Sequence, residues 1–242
     1  MSGKDTGKRR DALVIVAKYP RPGHVKTRLG ASIGFARAAR LYRAFLDDLA
    51  ERFTQAEARA GYDLIWACAD DPAALARLLG PEAGARMIRQ RGDDFAARLY
   101  HICRDTAALG YERTVILGSD SPQAPVSAVS RALALLECAD VTLGPADDGG
   151  YYLVGVRNRP TPPDIFTGIV MSTPWVLAQT LERVATLGLS ARVIETTFDV
   201  DTEADMLRLA QTLDAAPALA PRTHALLREL AARTEGDTYG AG

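Results

Sequence analysis

The chain has 242 residues, 48% of them hydrophobic and 24% charged, the proportions of a soluble globular protein rather than a disordered or fibrous one. Its 29 basic and 30 acidic residues leave a formal net charge of −1, which excludes the basic excess of a general nucleic-acid binder. No apolar run approaches the roughly 20 residues that span a bilayer, and the widely spaced Cys68, Cys103 and Cys138, each in an apolar stretch, match neither a zinc site nor a disulfide framework.

The amino terminus, Met1 to Arg10, is polar and basic. The apolar run Ala12–Ala17 behind it is too short for a signal-peptide core, and with unpaired cysteines a cytoplasmic protein is expected. That run has the pattern of a strand buried on both faces. Phe35–Phe53 sets Leu41, Phe45, Leu49 and Phe53 at helical spacing with charges between them. Tyr62–Ala69 reads as a strand and Pro72–Leu79 as a short helix, capped by Asp71 with Pro72 at its first position. A strand follows at Arg86–Gln90, a helix at Phe95–Leu109, a strand at Thr114–Leu117 and a helix at Pro125–Leu136. Strands at Asp140–Leu143 and Tyr151–Val156 precede a helix at Pro174–Leu187, a strand at Ala191–Ile194 and a helix at Thr202–Leu213. An amphipathic helix, Pro221–Arg233, leads into a frayed end.

Alternating strands and helices imply a mostly parallel sheet covered on both faces. Tyr151–Val156 follows its predecessor too closely for a helical crossover, so one strand is expected to run antiparallel or offset. One domain is expected over residues 1–242, with a core of about 12–213 and a carboxyl-terminal helix and tail at 214–242.

In such sheets ligands bind outside the carboxyl ends of the strands, and four segments there carry unusual residues. Ala17 to Leu29 holds Lys18, Arg21, Lys26 and Arg28, with Gly23 and two prolines. It reads either as a phosphate cradle or as a solvated basic turn. The Walker A spacing is missing, and no acid stands near these cations in sequence, so Lys26 is expected to meet phosphate rather than a buried salt bridge. Gly118-Ser-Asp-Ser-Pro122 places Asp120 to hold a divalent cation, or supplies a helix cap. Gly144 to Gly155 contains Asp147-Asp148-Gly149-Gly150, a tight turn for close backbone approach or an ordinary hairpin turn. Of Tyr151 and Tyr152 behind it, one is expected to wall a ligand and the other to enter the core. In Phe198 to Asp205, Thr202 or Asp201 could cap the next helix, but capping does not need the Asp199-x-Asp201 pair.

Together these segments resemble the bacterial family of small GT-A-type, glycosyltransferase-like proteins, a domain of unknown function in the nucleotide-diphospho-sugar transferase superfamily. The resemblance spans roughly Ala12 to Leu213. It rests on A-K-x-P-x-x-G-x-x-K-T-R-L at Ala17–Leu29, G-S-D-S-P at Gly118–Pro122, G-P-A-D-D-G-G-Y-Y-L-V-G at Gly144–Gly155 and D-x-D-T at Asp199–Thr202. Gln90 to Leu99 is similar to the family's Q-x-G-D-L-G-x-R stretch, with Phe95 and Ala96 in place of Leu and Gly. Met171 stands where relatives commonly carry a tryptophan, a departure that bears on the acceptor pocket. The resemblance implies an α/β, three-layer Rossmann-like sheet of GT-A type and a divalent metal, Mg2+ or Mn2+. The first loop is also similar to that of guanylyl- and cytidylyltransferases, and D-x-D-T to the late motif of sugar nucleotidyltransferases.

Carried over by position, Asp120 and Asp201 form the metal pair. The nucleotide-binding set is Lys18, Arg21, Gly23, Lys26, Arg28, Ser119, Asp147, Gly149 and Gly150, and the catalytic set is Lys26, Asp120 and Asp148, with Asp147 and Asp148 facing the acceptor or sugar. His24 lies in the basic loop, whereas His101 and His224 fall in helix patterns. The expected partners are a nucleoside triphosphate or nucleotide-sugar and a small acceptor, with a homo-oligomer left open. The leading expectation is metal-dependent nucleotidyl transfer to a phosphate- or phosphonate-bearing acceptor with release of pyrophosphate. Glycosyl transfer from a nucleotide-diphospho-sugar is the alternative and would need Asp147 or Asp148 as a base. A non-catalytic nucleotide-binding protein would need neither Asp120 nor Asp201.

Overall fold

The computed structural model describes residues 10–81, 86–158 and 160–239; most of the basic amino terminus and the last three residues lie outside them. The strands are β1 (Asp11–Ala17), β2 (Tyr62–Cys68), β3 (Arg86–Arg89), β4 (Arg113–Gly118), β5 (Val141–Pro145), β6 (Tyr151–Arg157) and β7 (Ala191–Val193). They form one sheet in the order β3-β2-β1-β4-β6-β5-β7. β6 lies antiparallel between β4 and β5, and every other pairing is parallel. The antiparallel strand expected from the short β5–β6 connection is therefore real, and it is wedged inside the sheet.

The helices are α1 (Thr27–Ile33), α2 (Phe35–Ala60), α3 (Pro72–Leu79), α4 (Phe95–Ala108), α5 (Val126–Leu135), α6 (Val176–Thr186), α7 (Glu203–Ala215) and α8 (Pro221–Tyr239). Because side chains alternate along a strand, uniformly apolar β1 feeds two cores at once. Leu13, Ile15 and Ala17 point into one cluster with Leu41, Phe45, Leu49 and Phe53 of α2. Ala12 and Val14 point into the other with Leu99, Ile102 and Cys103 of α4. Each fully buried Leu, Ile or Phe here stabilises by about 1.5–3 kcal/mol. Within β6, Gly155 is required by packing, since a Cβ there would collide with Thr142 Oγ1 on β5.

Two expectations need correction. α1 was read as part of the basic loop, because its seven residues carry no repeating apolar face. α6 begins at Val176, not Pro174, since Pro174 and Trp175 form the turn that enters it. Cys138, three residues beyond α5, is exposed, whereas Cys68 and Cys103 are buried as free thiols. Among the described residues no helix is long and apolar enough to cross a membrane.

α8 is fastened to α2 by a charge at its amino end. Asp48, whose residue is 1% exposed, accepts the backbone N–H groups of Arg222 at 2.9 Å and Thr223 at 2.8 Å. These are two of the donors a helix start leaves without intrahelical partners. Arg40 with Glu229 and Arg222 with Glu51 add exposed ion pairs, worth little individually. Asp48→Ala should therefore destabilise the protein by about 2–4 kcal/mol, because it strands two buried donors. Asp48→Asn, which keeps an acceptor oxygen, should cost roughly half as much. Urea unfolding curves measure both, and a loss below about 0.5 kcal/mol in the alanine variant would show that water replaces the carboxylate.

Candidate active site

From β1 the chain builds outward to β2 and β3, then returns to place β4 on the other flank of β1. The carboxyl ends of β1 and β4 lie side by side at this switch point, the place where such sheets open a crevice. A cleft of about 570 Å3 lies there, lined by the end of β1, residues 24–28, Gly118 to Asp120, Asp199 and Asp201. A depression of about 520 Å3 holds Arg10, Arg113 and Arg157. These arginines are already paired with Glu112, Asp11, Glu137 and the Leu136 carbonyl.

Lys26 is the centre of the cleft. Its φ of 46° is left-handed, a conformation that crowds any side chain with a Cβ, and it turns the chain so that the lysine points inward. Its side chain is 3% exposed, and Nζ bonds both Asp120 Oδ1 and Asp201 Oδ1, the latter at 3.1 Å. The rings of Tyr42 and Phe45 stand about 6 Å from the ammonium. Burial alone would depress its pKa, but Asp120 and Asp201 outweigh burial and leave it raised. The expectation of an unpaired Lys26 is thus corrected: its acids arrive from distant parts of the chain, where local sequence gives no sign of them. Both carboxylates open outward, with 48% and 41% of their side-chain surface exposed.

The loops carrying the two acids are stitched together. Val200 N–H donates to Asp120 O at 3.0 Å, Gln123 Nε2 donates to Phe198 O at 2.6 Å, and Ser121 donates to Asp199 Oδ1. From below, Arg52 of α2 donates to the carbonyls of Pro122 and Ala124. Tyr42 Oη bonds Ser119 Oγ at 2.7 Å and accepts Lys18 N–H at 3.2 Å. Neither acid is spent on a helix cap. α5 starts at Pro125 without a side-chain cap, and α7 is closed by a Thr202–Asp205 capping box.

Asp199 was passed over in favour of Asp201, although the D-x-D string contained both. Burial, then the neighbouring Asp120, pushes its carboxyl up to about 6, against the Ser121 hydrogen bond and Lys26. Asp148 adds to the same upward push.

Of the other expected site residues, Lys18, Arg28 and Ser119 line the cleft with Lys26, Asp120 and Asp201. Arg21, Gly23, Asp147, Asp148, Gly149 and Gly150 do not. Arg21 lies on the outer side of the loop against Tyr19, and Gly23 supplies a left-handed turn at φ 78°. Asp147 pairs with Arg208 at 2.6 Å, whose guanidinium sits 3.9 Å above the Phe198 ring. Asp148 accepts Gly150 N–H at 2.9 Å and closes its own turn. The close approach that Gly149 permits is to Pro174, whose carbonyl any Cβ would strike. Its own carbonyl accepts Leu177 N–H at 2.9 Å, pinning the turn to the start of α6.

The structure adds His24, Gln90, Phe95, Arg98, Tyr151, Tyr152 and Ser172 to the lining. Gln90 Nε2 donates to Ala67 O at 2.7 Å and Ala17 O at 3.3 Å, tying the ends of β1 and β2. The Q-x-G-D stretch was the signal for Gln90 and Arg98. Tyr152 is the core member of the tyrosine pair, and His224 bonds Asp214 far from the cleft sequence.

Asp120 and Asp201 suit a hard divalent cation, since both present carboxylate oxygens that already converge on one positive charge. Among the described residues no group of three or more His, Cys, Asp or Glu is placed to hold a metal ion. Two carboxylates leave most of an octahedral shell to phosphate oxygens and water, the arrangement Mg2+ favours.

A family described as uncharacterized protein conserved in bacteria (DUF2064) matches residues 39–173, and the chain belongs to it. A crystal structure from Desulfovibrio desulfuricans G20, of a protein provisionally named nucleotide-diphospho-sugar transferase, is 36% identical. It has a TM-score of 0.83 over 93% of this chain and 96% of that chain. Two further structures share the fold. CMP:2-keto-3-deoxy-manno-octonic acid synthetase complexed with CTP is 17% identical, with a TM-score of 0.53 over 85% of this chain and 98% of that chain. The 4-diphosphocytidyl-2C-methyl-D-erythritol synthase from Anaerococcus prevotii DSM 20548 is 9% identical, with a TM-score of 0.54 over 85% and 99%. None of the curated proteins matches the chain. The sheet is thus that of the nucleotide-diphospho-sugar transferase fold.

The raised Asp199 pKa carries a stability consequence. Its folded value of about 6 lies above the ordinary 3.8, so its contribution is fully present below about pH 4 and lost as pH rises through 6. Asp199→Asn, which cannot ionise and still accepts from Ser121, should be more stable than the parent at pH 8 by about 1–3 kcal/mol. The gain should shrink towards zero near pH 4. Urea unfolding across this range in the presence of EDTA tests it, and a difference independent of pH would show that Asp199 titrates normally.

Proposed function

We propose that the chain is a metal-dependent nucleotidyltransferase that couples a nucleoside triphosphate to a small phosphate- or phosphonate-bearing acceptor. The observation that carries this reading is the carboxylate pair Asp120–Asp201, held together by buried Lys26 beneath a loop that turns Lys18 and Arg28 into the same cleft. Asp120 and Asp201 would hold Mg2+ or Mn2+, which when bound offsets negative charge on phosphate oxygens.

The residues of the chain do the rest by positioning. Lys18 and Arg28 are exposed cations in the cleft, on a loop stiffened by Pro20 and Pro22, and they bind the β- and γ-phosphates. An acceptor oxygen forms a bond to the α-phosphorus while the bond to the bridging oxygen breaks, and pyrophosphate leaves with that electron pair. Negative charge spread over several oxygens in the transition state is met by fixed cations. Because the acceptor is already an anion, no residue has to remove a proton from it. The free cysteines suit the reducing cytoplasm, where such triphosphates are available.

Glycosyl transfer is the second reading, favoured by the name of the 36%-identical relative. It requires a base for a hydroxyl acceptor. Asp147 and Asp148 are engaged elsewhere, one by Arg208 and the other by its own turn, and neither lines the cleft.

A panel of nucleoside triphosphates and nucleotide-sugars separates the readings. The preferred triphosphate, at about 100 times its dissociation constant, should stabilise the protein by about 2.7 kcal/mol. Turnover should release pyrophosphate, and Asp120→Asn, assayed below its own melting temperature, should lower kcat about 10²–10³-fold. Its melting temperature should also fall, because buried Lys26 keeps only Asp201 as an ionised partner. Release of a nucleoside diphosphate from a nucleotide-sugar, without pyrophosphate from any triphosphate, would overturn nucleotidyl transfer.

A further inference from the structure

We infer that Lys26 couples metal binding to nucleotide binding, serving in the free protein as the resident cation of the carboxylate pair and so keeping that pair a poor metal site until a polyphosphate arrives. The inference rests on the reading of Asp120 and Asp201 as metal ligands and goes beyond it.

Its basis is geometric. Nζ of Lys26 bonds one oxygen of each carboxylate. No other hydrogen-bond partner of either carboxylate group is found among the described residues, so one lysine supplies all of their direct pairing. Its side chain is 3% exposed against 48% for Asp120, so the ammonium sits on the buried side of the pair and water screens it poorly. A divalent cation shared by the same two carboxylates would lie beside a fixed positive charge, and such repulsion is strong where solvent is excluded. The backbone at Lys26 is held in a left-handed conformation, which costs energy and persists only where the surroundings enforce it. The lysine is therefore held inward against local preference.

A triphosphate reverses this balance. Its charges enter the same cleft, which Lys18 and Arg28 already line, and they give the ammonium of Lys26 a second set of oxygen partners. Repulsion between lysine and metal is then offset by an anion that attracts both. Each ligand strengthens the other, and linkage requires the factor to be equal in both directions.

The test is Mn2+ binding followed by electron paramagnetic resonance, with and without a non-hydrolysable triphosphate. The wild-type protein should bind Mn2+ alone weakly, and the analogue should tighten binding about 5–150-fold, the usual span of such coupling. Lys26→Met should bind Mn2+ alone more tightly than wild type by a factor in the same range. The analogue should then tighten binding by a smaller factor than in wild type, since its phosphate oxygens still ligate the metal but no lysine repulsion is left to relieve. Lys26→Arg, which keeps the charge, should retain the coupling. Mn2+ affinity in Lys26→Met equal to or below that of wild type would overturn the inference. So would tight Mn2+ binding by the wild type without nucleotide, a measurement that stands even if Lys26→Met does not fold. Mn2+ binding that is unchanged in Asp120→Asn would instead remove the metal reading itself.

Discussion

A single buried ammonium joins three parts of the chain that are far apart in sequence. Lys26 follows β1, Asp120 follows β4, and Asp201 precedes α7, and the three meet at the point where the sheet order reverses. A charge taken out of water is tolerated only when it is fully paired, so the lysine obliges both acidic loops to stay where they are. The rest of the cleft is arranged around that demand. Arg52 and Gln123 hold the backbone of the two loops, and Tyr42 and Phe45 form the floor beneath the ammonium.

Burial and pairing set two neighbouring acids in different surroundings. Asp201 is bonded directly by the lysine, whereas Asp199, buried and close to Asp120, is bonded by the Ser121 hydroxyl and feels Lys26 only at a distance. Two residues apart on one loop, one acid serves as the partner of a buried cation while the other carries a raised pKa. Sequence spacing alone treats them alike, because both belong to the same D-x-D string.

The sheet and its two cores were legible in the sequence because they rest on periodicity. β1 reads as doubly buried from six apolar residues, and the spacing of Leu41, Phe45, Leu49 and Phe53 foretells the face of α2 that covers it. The antiparallel β6 followed from loop length. Lys18, Lys26, Arg28, Ser119, Asp120 and Asp201, read from the sequence as a group, line one cleft, because strand ends are where such sheets gather ligands. What escaped the sequence was pairing at a distance. Nothing near Lys26 shows that it will be neutralised, and nothing near Asp147 shows that Arg208 will take it. Gly149 suggested an approaching ligand, since a sequence cannot distinguish a ligand from Pro174.

The position of β6 between β4 and β5 has a consequence for how the protein is made. A ribosome delivers the chain from its amino end, so β1, β2 and β3 can associate early. The free flank of β4, by contrast, must wait for a strand synthesised after β5. Asp201 emerges later still, so for most of translation Lys26 lacks one of its two acids, and its burial is disfavoured until the last loop is in place. Non-local pairings of this kind form slowly and leave strand edges exposed in the meantime. The cleft consequently matures late, and a nascent chain has the nucleotide-facing loop before it has a closed site to present.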